Sequence, residues 1–509
     1  MNNTPNILLI QADQMGAHAL PCYGHPVVQA PNMEALAEKG VIFDSAYCNS
    51  PLCAPSRFSM MSGQHPSKIN AFDNAAEFSS DIPTVAHYLR SSGYQTCLSG
   101  KMHFVGADQL HGYEERLTTD VYPSDYGWTP DWNKPDDRID WWYHNMDSVI
   151  EAGPCERTNQ IDFDDEVEFH AVRKIYDIAR SRDDRPFFLT VSFTNPHDPY
   201  ACPKEHWDRY DHDAIDMPAT GYIPDENMDP HSRRLRHIYQ QHPDAVTKEQ
   251  IRNARHAYYG QISYIDDKVG RIQKALYDTG FDKNTIIVFT ADHGDMLGEK
   301  GLWYKMSFFE KSVRVPLIIK APGSFSGGRV STPVSLVDLL PTFLDITGSK
   351  YLKNPADKLD GESLVPLLKG ESDFSERTVI SEFFAEGSIA PCFMVRQGNY
   401  KYIYSRPDPP QLYDLVKDPG ELQNLASRPE YKKIEENLKG KVFTHQNPEA
   451  LHRVVLKSQN RRRLVFKANM EGKRTSWDHC PSRDASSQYM RNHLNLNEVE
   501  SRARIKSKK

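Results

Sequence analysis

The sequence predicts an α/β sandwich with helices on both faces of its sheet, followed by a smaller C-terminal subdomain built on an antiparallel sheet. Three observations carry this. Two continuous apolar runs, "PNILLIQAD" (5–13) and "NTIIVFTADHGD" (284–295), each stop abruptly at carboxylates, as buried parallel strands do when their C-terminal ends open onto a site. Between them lies a helical period that feeds directly into the second run. After about residue 370 the pattern changes to the two-residue alternation of a half-exposed strand, as in "MVRQGNYKYIYS".

The elements follow in order. Strand 5–13 opens the chain, and "RPFFLTVSF" (185–193) and "VPLIIKAPG" (315–323) supply further strands, each ending in polar or Pro/Gly punctuation. Tyr258, Ile262, Ile265, Val269, Ile272 and Leu276 recur at spacings of four and three, with Gly280 as the stop. Strands alternating with helices give the sandwich. "QLYDLVKDPGELQNLA" predicts a turn and a helix start. The expected organisation is a catalytic domain over 1–370, a small antiparallel subdomain over 371–440 and a tail over 441–509. The tail is Arg/Lys-rich and then polar, the composition of a solvated arm, but Trp477 and Tyr489 favour docking on its own subunit or a neighbour.

With 509 residues, 39% hydrophobic and 26% charged, the chain can bury a large core. Its formal charge of -8, from 61 basic and 69 acidic residues, gives no global attraction to nucleic acid or anionic membrane, so any anion site is local. Eight cysteines without CxxC pairs, and a start lacking a basic n-region, read as a reduced, cytoplasmic protein. "NILLI" is far short of the roughly 20 apolar residues a spanning helix needs.

Asp13 and Gln14 at one strand end, and Asp292, His293 and Asp295 at the other, form a set able to hold a hard or borderline divalent cation. A carboxylate at a strand end serves as often as a helix N-cap; the repetition of one design favours metal. Lys101 and His103 in "SGKMH", His197 in "TNPHDPY", Lys305 in "GLWYKMSFF" and Arg57 form an anion-binding set on loops flanked by Gly and Pro. Arg57 lies in "SPLCAPSRFSM" (50–60), whose lone cysteine and two prolines suit neither a helix nor a central strand.

At these residues the chain resembles the type I sulfatases of the alkaline-phosphatase-like superfamily. "CAPSR" fits their C-x-P-x-R pattern at Cys53, Pro55 and Arg57, and "PNILLIQAD", "GKMH", "ADHGDMLGEKGLWYKMSFFEKSVRVPLIIKAPG" and "LYDLVKDPGELQNLA" extend the likeness from residue 5 to about 425. The resemblance implies an alkaline-phosphatase-like sandwich on a large central mixed sheet. It also implies that a cysteine-modifying enzyme reads the segment in extended form and converts Cys53 to 3-oxoalanine (formylglycine). The aldehyde hydrates to a geminal diol; one hydroxyl attacks sulfur, and the second then expels sulfate, a step a serine could not perform. By the same resemblance Asp13, Asp292, His293 and modified Cys53 bind the metal, and Arg57 pairs with formylglycine and sulfate. Lys101 and Lys305 clamp the sulfate, His103 opens the hemiacetal as base, and His197, with Lys305, protonates the leaving alkoxide. Many arylsulfatases carry two acidic residues where this chain has Asp13-Gln14, and Asn where it has His293, so Gln14 is a candidate neutral ligand. Ca²⁺ is the first expectation, with Mg²⁺ or Mn²⁺ next.

Within that family, "TTDVYPSDYGWTPDW", "IDWWYHNMDSV", "EFFAEGSIAPCFMVRQGNYKYI" and "WDHCPSRDASSQYMRNH" are similar to the choline-sulfatase group. This implies hydrolysis of choline-O-sulfate in the cytoplasm by a homodimer or homotetramer whose tail helps to build a neighbouring site. A quaternary ammonium donates no N–H hydrogen bond, so its pocket needs aromatic faces and a carboxylate. Residues 126–144 carry Trp128, Trp132, Trp141, Trp142, Tyr143 and His144, although for any single one of them packing of a long insertion onto the core is the better reading. The expected cage is Trp128 and His144, with Glu386 as counter-charge and Asn74 at the rim. Competing readings are a phosphonate or phosphodiester monoester hydrolase of the same superfamily and a non-catalytic metal- and anion-binding protein with unmodified Cys53. A cysteine hydrolase fits less well, because its thiolate needs a dedicated His/Asn partner rather than a metal cluster.

Overall fold

The computed structural model describes residues 4–137, 144, 146–323, 325, 327–371, 377–473, 477–479 and 502. Eight strands form the main sheet: β1 (Asn6–Ala12), β2 (Val41–Phe43), β3 (Gln95–Gly100), β4 (Glu115–Arg116), β5 (Phe187–Phe193), β6 (Thr285–Ala291), β7 (Leu317–Lys320) and β8 (Gly328–Val330). Their spatial order is β8-β2-β7-β6-β1-β5-β3-β4. The central strands β6, β1, β5 and β3 run parallel. β7 is antiparallel to both its neighbours, so the sheet is mixed, as expected. Every residue of β1, β5 and β6 is buried, which is why these strands read as unbroken apolar runs rather than alternating ones.

Helices cover both faces. In register, Thr96 of β3 pairs with Phe188 of β5, so Phe188 and Ser99 point to opposite sides of the sheet. Phe188 packs on Phe343 of the helix Leu339–Ile346, with ring centroids 5.9 Å apart, whereas Ser99 Oγ donates to the Val167 carbonyl of the helix Asn159–Arg180 at 2.8 Å. The predicted period around 258–276 lies inside one long helix, Lys248–Thr279, started by a Thr247/Gln250 capping box and stopped at Gly280 (φ +79°), a left-handed position that glycine takes without strain.

The segment read as neither helix nor strand is a helix, α1 (Cys53–Ser62), buried along its whole length. Pro55 stands in its first turn, where a backbone N–H has no intrahelical acceptor, so the ring removes nothing there. Gly63 at φ +66° ends it. Cys53 is therefore the first residue of a helix whose opening turn faces the strand ends.

The smaller sheet is antiparallel in the order β9 (Thr378–Phe383), β10 (Cys392–Gln397), β11 (Tyr400–Ser405), β12 (Gln411–Asp414). The helix start expected in "ELQNLA" is absent. Asp418 accepts the Leu422 and Gln423 amides at 2.8 and 2.7 Å, and Asn424 accepts the Leu412 amide at 2.9 Å, so side chains hold this stretch against β12. Helix begins only at α2 (Lys432–His445). It runs through residue 440, where the small subdomain was expected to end. The expected arm continues as α3 (Pro448–Asn469), which buries Leu451, Val455, Gln459 and Arg462 at spacings of four, four and three.

Candidate active site

The four central parallel strands deliver the chemistry at their C-terminal ends. Asp13 follows β1, Asp292 and His293 follow β6, Lys101 follows β3, and the loop after β5 carries His197. α1 brings Cys53 onto the same edge. The nearest ligand atoms of Asp13, Cys53, Asp292 and His293 all lie within 4.8 Å of one another, and all four residues are buried. Cys53 Sγ is 3.2 Å from His293 Nε2 and 3.8 Å from Asp13 Oδ1. His293 Nδ1 faces the Gly294 carbonyl at 3.1 Å, which turns the Nε2 lone pair toward the cluster. Burial pushes the imidazole down to about 4, so the ring is neutral at pH 7.

Arg57 and Lys101 balance these carboxylates. Arg57, one turn past Cys53, donates from Nε to Asp292 Oδ2 at 2.8 Å and from Nη2 to Asp13 Oδ2 at 3.3 Å. Its Nη1 bonds the Lys101 carbonyl at 2.6 Å and Ser192 Oγ at 2.8 Å. Lys101 Nζ also bonds Asp13. Burial alone would raise the Asp13 carboxyl, but Lys101, His197 and Arg57 hold it well below the usual range. Arg57 is thus a brace for the carboxylates beside Cys53. Two fully buried carboxylates, a neutral imidazole and a thiol converging on one point fit a divalent cation.

Gln14 does not join that set. Its Nε2 donates to Asp295 at 2.6 Å and to Asp198 at 3.3 Å, and its Oε1 accepts from Lys305 Nζ at 2.5 Å. Asp295, grouped with the ligands in the sequence, instead accepts from Gln14, Tyr200 and the Leu297 amide. Lys305 Nζ also meets His197 Nε2 at 2.7 Å.

A pocket opens over Cys53, walled by Asn74, His103, Tyr122, Trp128, His144, His197 and Glu386. All four expected cage residues line it. Asn74 Oδ1 accepts the Ala54 amide at 3.0 Å, capping the turn that carries Cys53. His103 (φ +59°) keeps both ring nitrogens without a hydrogen-bond partner among the described residues. Burial and Lys101 push it down to about 3, leaving a free base beside Cys53. Glu386 accepts from Tyr239 at 3.1 Å, and burial raises its carboxyl to about 7. Of the aromatic run, Trp132 is core, donating to the Ala385 carbonyl at 3.1 Å; Trp141, Trp142 and Tyr143 lie outside the described residues.

Two pocket contributors escaped the sequence reading. Tyr122 meets His103 and Trp128 at tilted angles, ring centroids 5.7 and 5.5 Å apart, and Lys101 Nζ sits 4.2 Å from its ring centre. Tyr239 comes from the helix Pro230–Tyr239. Tyr122 lies within the quoted stretch "TTDVYPSDYGWTPDW" and Tyr239 in no quoted stretch, and neither tyrosine by itself gives a signal above packing.

The comparisons agree with this geometry. The family model described as "Sulfatase" matches residues 5–349. The chain belongs to the sulfatase family. The sulfatase also matches the models "N-sulphoglucosamine sulphohydrolase, C-terminal" over 298–448 and "Choline sulfatase enzyme C terminal" over 453–505. It is 48% identical to the choline-sulfatase of Rhizobium meliloti (strain 1021) over 97% of both chains, and 29% identical to an arylsulfatase of Clostridium perfringens over 84% of this chain and 91% of that one. Among solved structures, the phosphonate monoester hydrolase of Agrobacterium radiobacter superposes with a TM-score of 0.70 at 26% identity, covering 88% of this chain and 96% of that one. The fold is the alkaline-phosphatase-like one expected, and the protein is a sulfuric ester hydrolase.

Proposed function

We propose that this sulfatase hydrolyses choline-O-sulfate to choline and sulfate, with residue 53 acting as 3-oxoalanine after conversion by a cysteine-modifying enzyme. The observation that carries the reading is one pocket lined by Cys53, Trp128, Tyr122 and Glu386. Aromatic faces and one anion suit a quaternary ammonium. The 48% identity to the Rhizobium meliloti choline-sulfatase supports it.

Asp13, Asp292, His293 and residue 53 would hold a divalent cation, Ca²⁺ first and Mg²⁺ or Mn²⁺ next. Such an ion would supply Lewis acidity at residue 53. Lys101 and Lys305 attract the sulfate, and Arg57 fixes the carboxylates. His103 takes a proton from residue 53. As the ester S–O bond breaks, its electron pair stays on the leaving oxygen, and a proton from the His197–Lys305 pair converts that oxygen to an alcohol. Trp128, His144, Glu386 and Asn74 hold the head group. The catalytic unit spans 1–370, with 371–440 as a small subdomain and 441–509 as a tail at the interface of a homodimer or homotetramer. Leu464, Val465 and Val454 on α3, 69%, 41% and 46% exposed, support the interface.

The seven cysteines among the described residues, all free of disulfides, support a cytoplasmic location; no described helix is long and apolar enough to cross a membrane. The likeness to a phosphonate monoester hydrolase keeps that chemistry as a second reading. The test is product release from choline-O-sulfate beside 4-nitrophenyl sulfate, phosphorylcholine and an aryl phosphonate, with peptide mass spectrometry across residue 53. Preference for choline-O-sulfate with converted Cys53 is expected. Preference for the phosphonate moves the protein to the second reading, and unconverted, inactive protein sinks both.

A further inference from the structure

Behind two of the pocket's three imidazoles, His144 and His197, stands a buried carboxylate that neither the ligand set nor the sulfate clamp uses. Asp198, in the loop after β5, is fully buried. Its Oδ2 meets His144 Nδ1 at 3.3 Å, and its Oδ1 lies 3.1 Å from His197 Nδ1, which also faces the Asp198 carbonyl at 2.7 Å. Gln14 Nε2 donates to Oδ1 at 3.3 Å and Ser148 Oγ to Oδ2 at 3.5 Å. Asp198 therefore ties together the histidine beside Lys305 and the histidine of the head-group wall.

His144, His197 and Asp198 lie close enough to hold a cation, with one ligand atom from each within 4.8 Å of the others. Their arrangement argues otherwise. The Nδ1 atoms that a cation would need are already turned to Asp198, and the Lys305 ammonium, 2.7 Å from His197 Nε2, would repel a second positive charge at that edge. What the geometry does provide is the carboxylate–imidazole relation that fixes a tautomer and stabilises an imidazolium as it forms.

We infer that Asp198 is a positioning residue for leaving-group protonation, holding His197 and His144 as Nδ1–H tautomers and countering the charge that His197 acquires as it passes a proton outward. The inference rests on the proposed roles of His197 and Lys305. In that step the S–O bond breaks with its electron pair on the leaving oxygen, His197 Nε2 takes a proton from Lys305 and delivers it to that oxygen, and Lys305 regains through solvent the proton that hydrolysis of the sulfate ester releases. His197 is transiently cationic, its Nδ1 on the Asp198 main-chain carbonyl at 2.7 Å, 3.1 Å from the Asp198 carboxylate that counters the charge and 3.2 Å from the Tyr122 hydroxyl. The same carboxylate contacts His144, so head-group placement and protonation share one anchor.

The protonation role predicts a substrate split that a merely structural role does not. An alkyl sulfate expels a strongly basic alkoxide, whereas 4-nitrophenolate leaves without a proton. In Asp198→Asn the side chain keeps its shape and loses its charge. Expected is a fall in kcat of about 100-fold or more on choline-O-sulfate and on its neutral isostere 3,3-dimethylbutyl sulfate, with 4-nitrophenyl sulfate within about threefold of wild type. Equal loss on all three, or loss on none, overturns the inference. If the wild-type protein hydrolyses the neutral alkyl ester but not choline-O-sulfate, the substrate reading fails, while the alkyl–aryl contrast still decides the role of Asp198. Selective ¹⁵N-histidine NMR on the wild-type protein gives a readout that needs no variant: Nδ1–H tautomers at His197 and His144 are expected, and an Nε2–H tautomer at His197 overturns the assignment.

Discussion

Arg462 grips Asp73 with both terminal nitrogens, at 2.5 and 2.7 Å, in a site where the carboxylate is fully buried. The pair joins α3, near the C-terminal end of the chain, to the loop whose next residue, Asn74, caps the turn carrying Cys53. A tail helix thereby braces the wall of the pocket. Removing one partner leaves the other charge buried and alone, which costs about 3–5 kcal/mol. Arg462→Ala is expected to lose about that much in chemical denaturation and to raise KM through a loosened Asn74. An unchanged denaturation midpoint would show that the pair contributes nothing.

Cys53 separates the proposed chemistry from its rivals. Burial and the Asp13 carboxylate push the thiol up to about 12, so as an unmodified cysteine it is protonated and a poor nucleophile. Cys53→Ala is expected to abolish turnover while leaving the unfolding transition near that of wild type. Cys53→Ser retains one hydroxyl and lacks the second that expels sulfate, so it should release no more than one equivalent of alcohol per site. Multiple turnovers by the serine variant, counted by rapid quench, would refute the two-hydroxyl scheme.

The strand ends were legible because β1, β5 and β6 are buried on both faces and so carry unbroken apolar runs. Their terminal carboxylates could be matched from the sequence alone. α1 was not legible, because Pro55 argues against a helix unless its first-turn position is known. Gln14 was legible as an oddity and misleading as a ligand: its partners Asp295, Asp198 and Lys305 lie 184 to 291 residues away in sequence, and only the fold brings them together. The spacing of Leu451, Val455, Gln459 and Arg462 did carry a helical signal, masked by the basic composition around it.

Trp128 faces the pocket and meets His103 edge-on at 5.6 Å. Contact between an ammonium and an aromatic face contributes about 0.5–2 kcal/mol, so Trp128→Ala should raise KM for choline-O-sulfate by roughly 3- to 30-fold. An aryl sulfate carries no cation and should be affected less. Equal losses on both substrates would remove Trp128 from the cage and return it to packing.

Glu386 gives that cage a pH dependence. Its carboxyl, lifted by burial to about 7, is neutral below that value and anionic above it. Only the anion attracts a quaternary ammonium. Log kcat/KM for choline-O-sulfate should therefore rise with pH through about 7 and level off above it, while an aryl sulfate lacks this limb. Glu386→Gln should erase the limb and hold the cationic substrate at its low-pH efficiency. A limb of the same midpoint for both substrates would assign the titration to another group.

The converging carboxylates make a prediction that does not depend on turnover. Asp13 Oδ1 and Asp292 Oδ2 both lie within 3.7 Å of His293 Nε2, and an ion bound there stabilises only the folded chain. An ion at about 100 times its dissociation constant adds about 2.7 kcal/mol. Chelation should lower the thermal midpoint, and Ca²⁺ should restore it, with Mg²⁺ and Mn²⁺ as the comparison. Asp292→Asn separates specific binding from general salt effects: it removes one of two anionic ligands and leaves Arg57 Nε facing an amide. The variant should then show little or no midpoint change between chelated and Ca²⁺-loaded samples. If the stripped wild-type protein responds to none of the three ions, the cluster is an ion-pair network with Arg57 and Lys101 rather than a metal centre; if Asp292→Asn responds as strongly as wild type, the ion sits elsewhere.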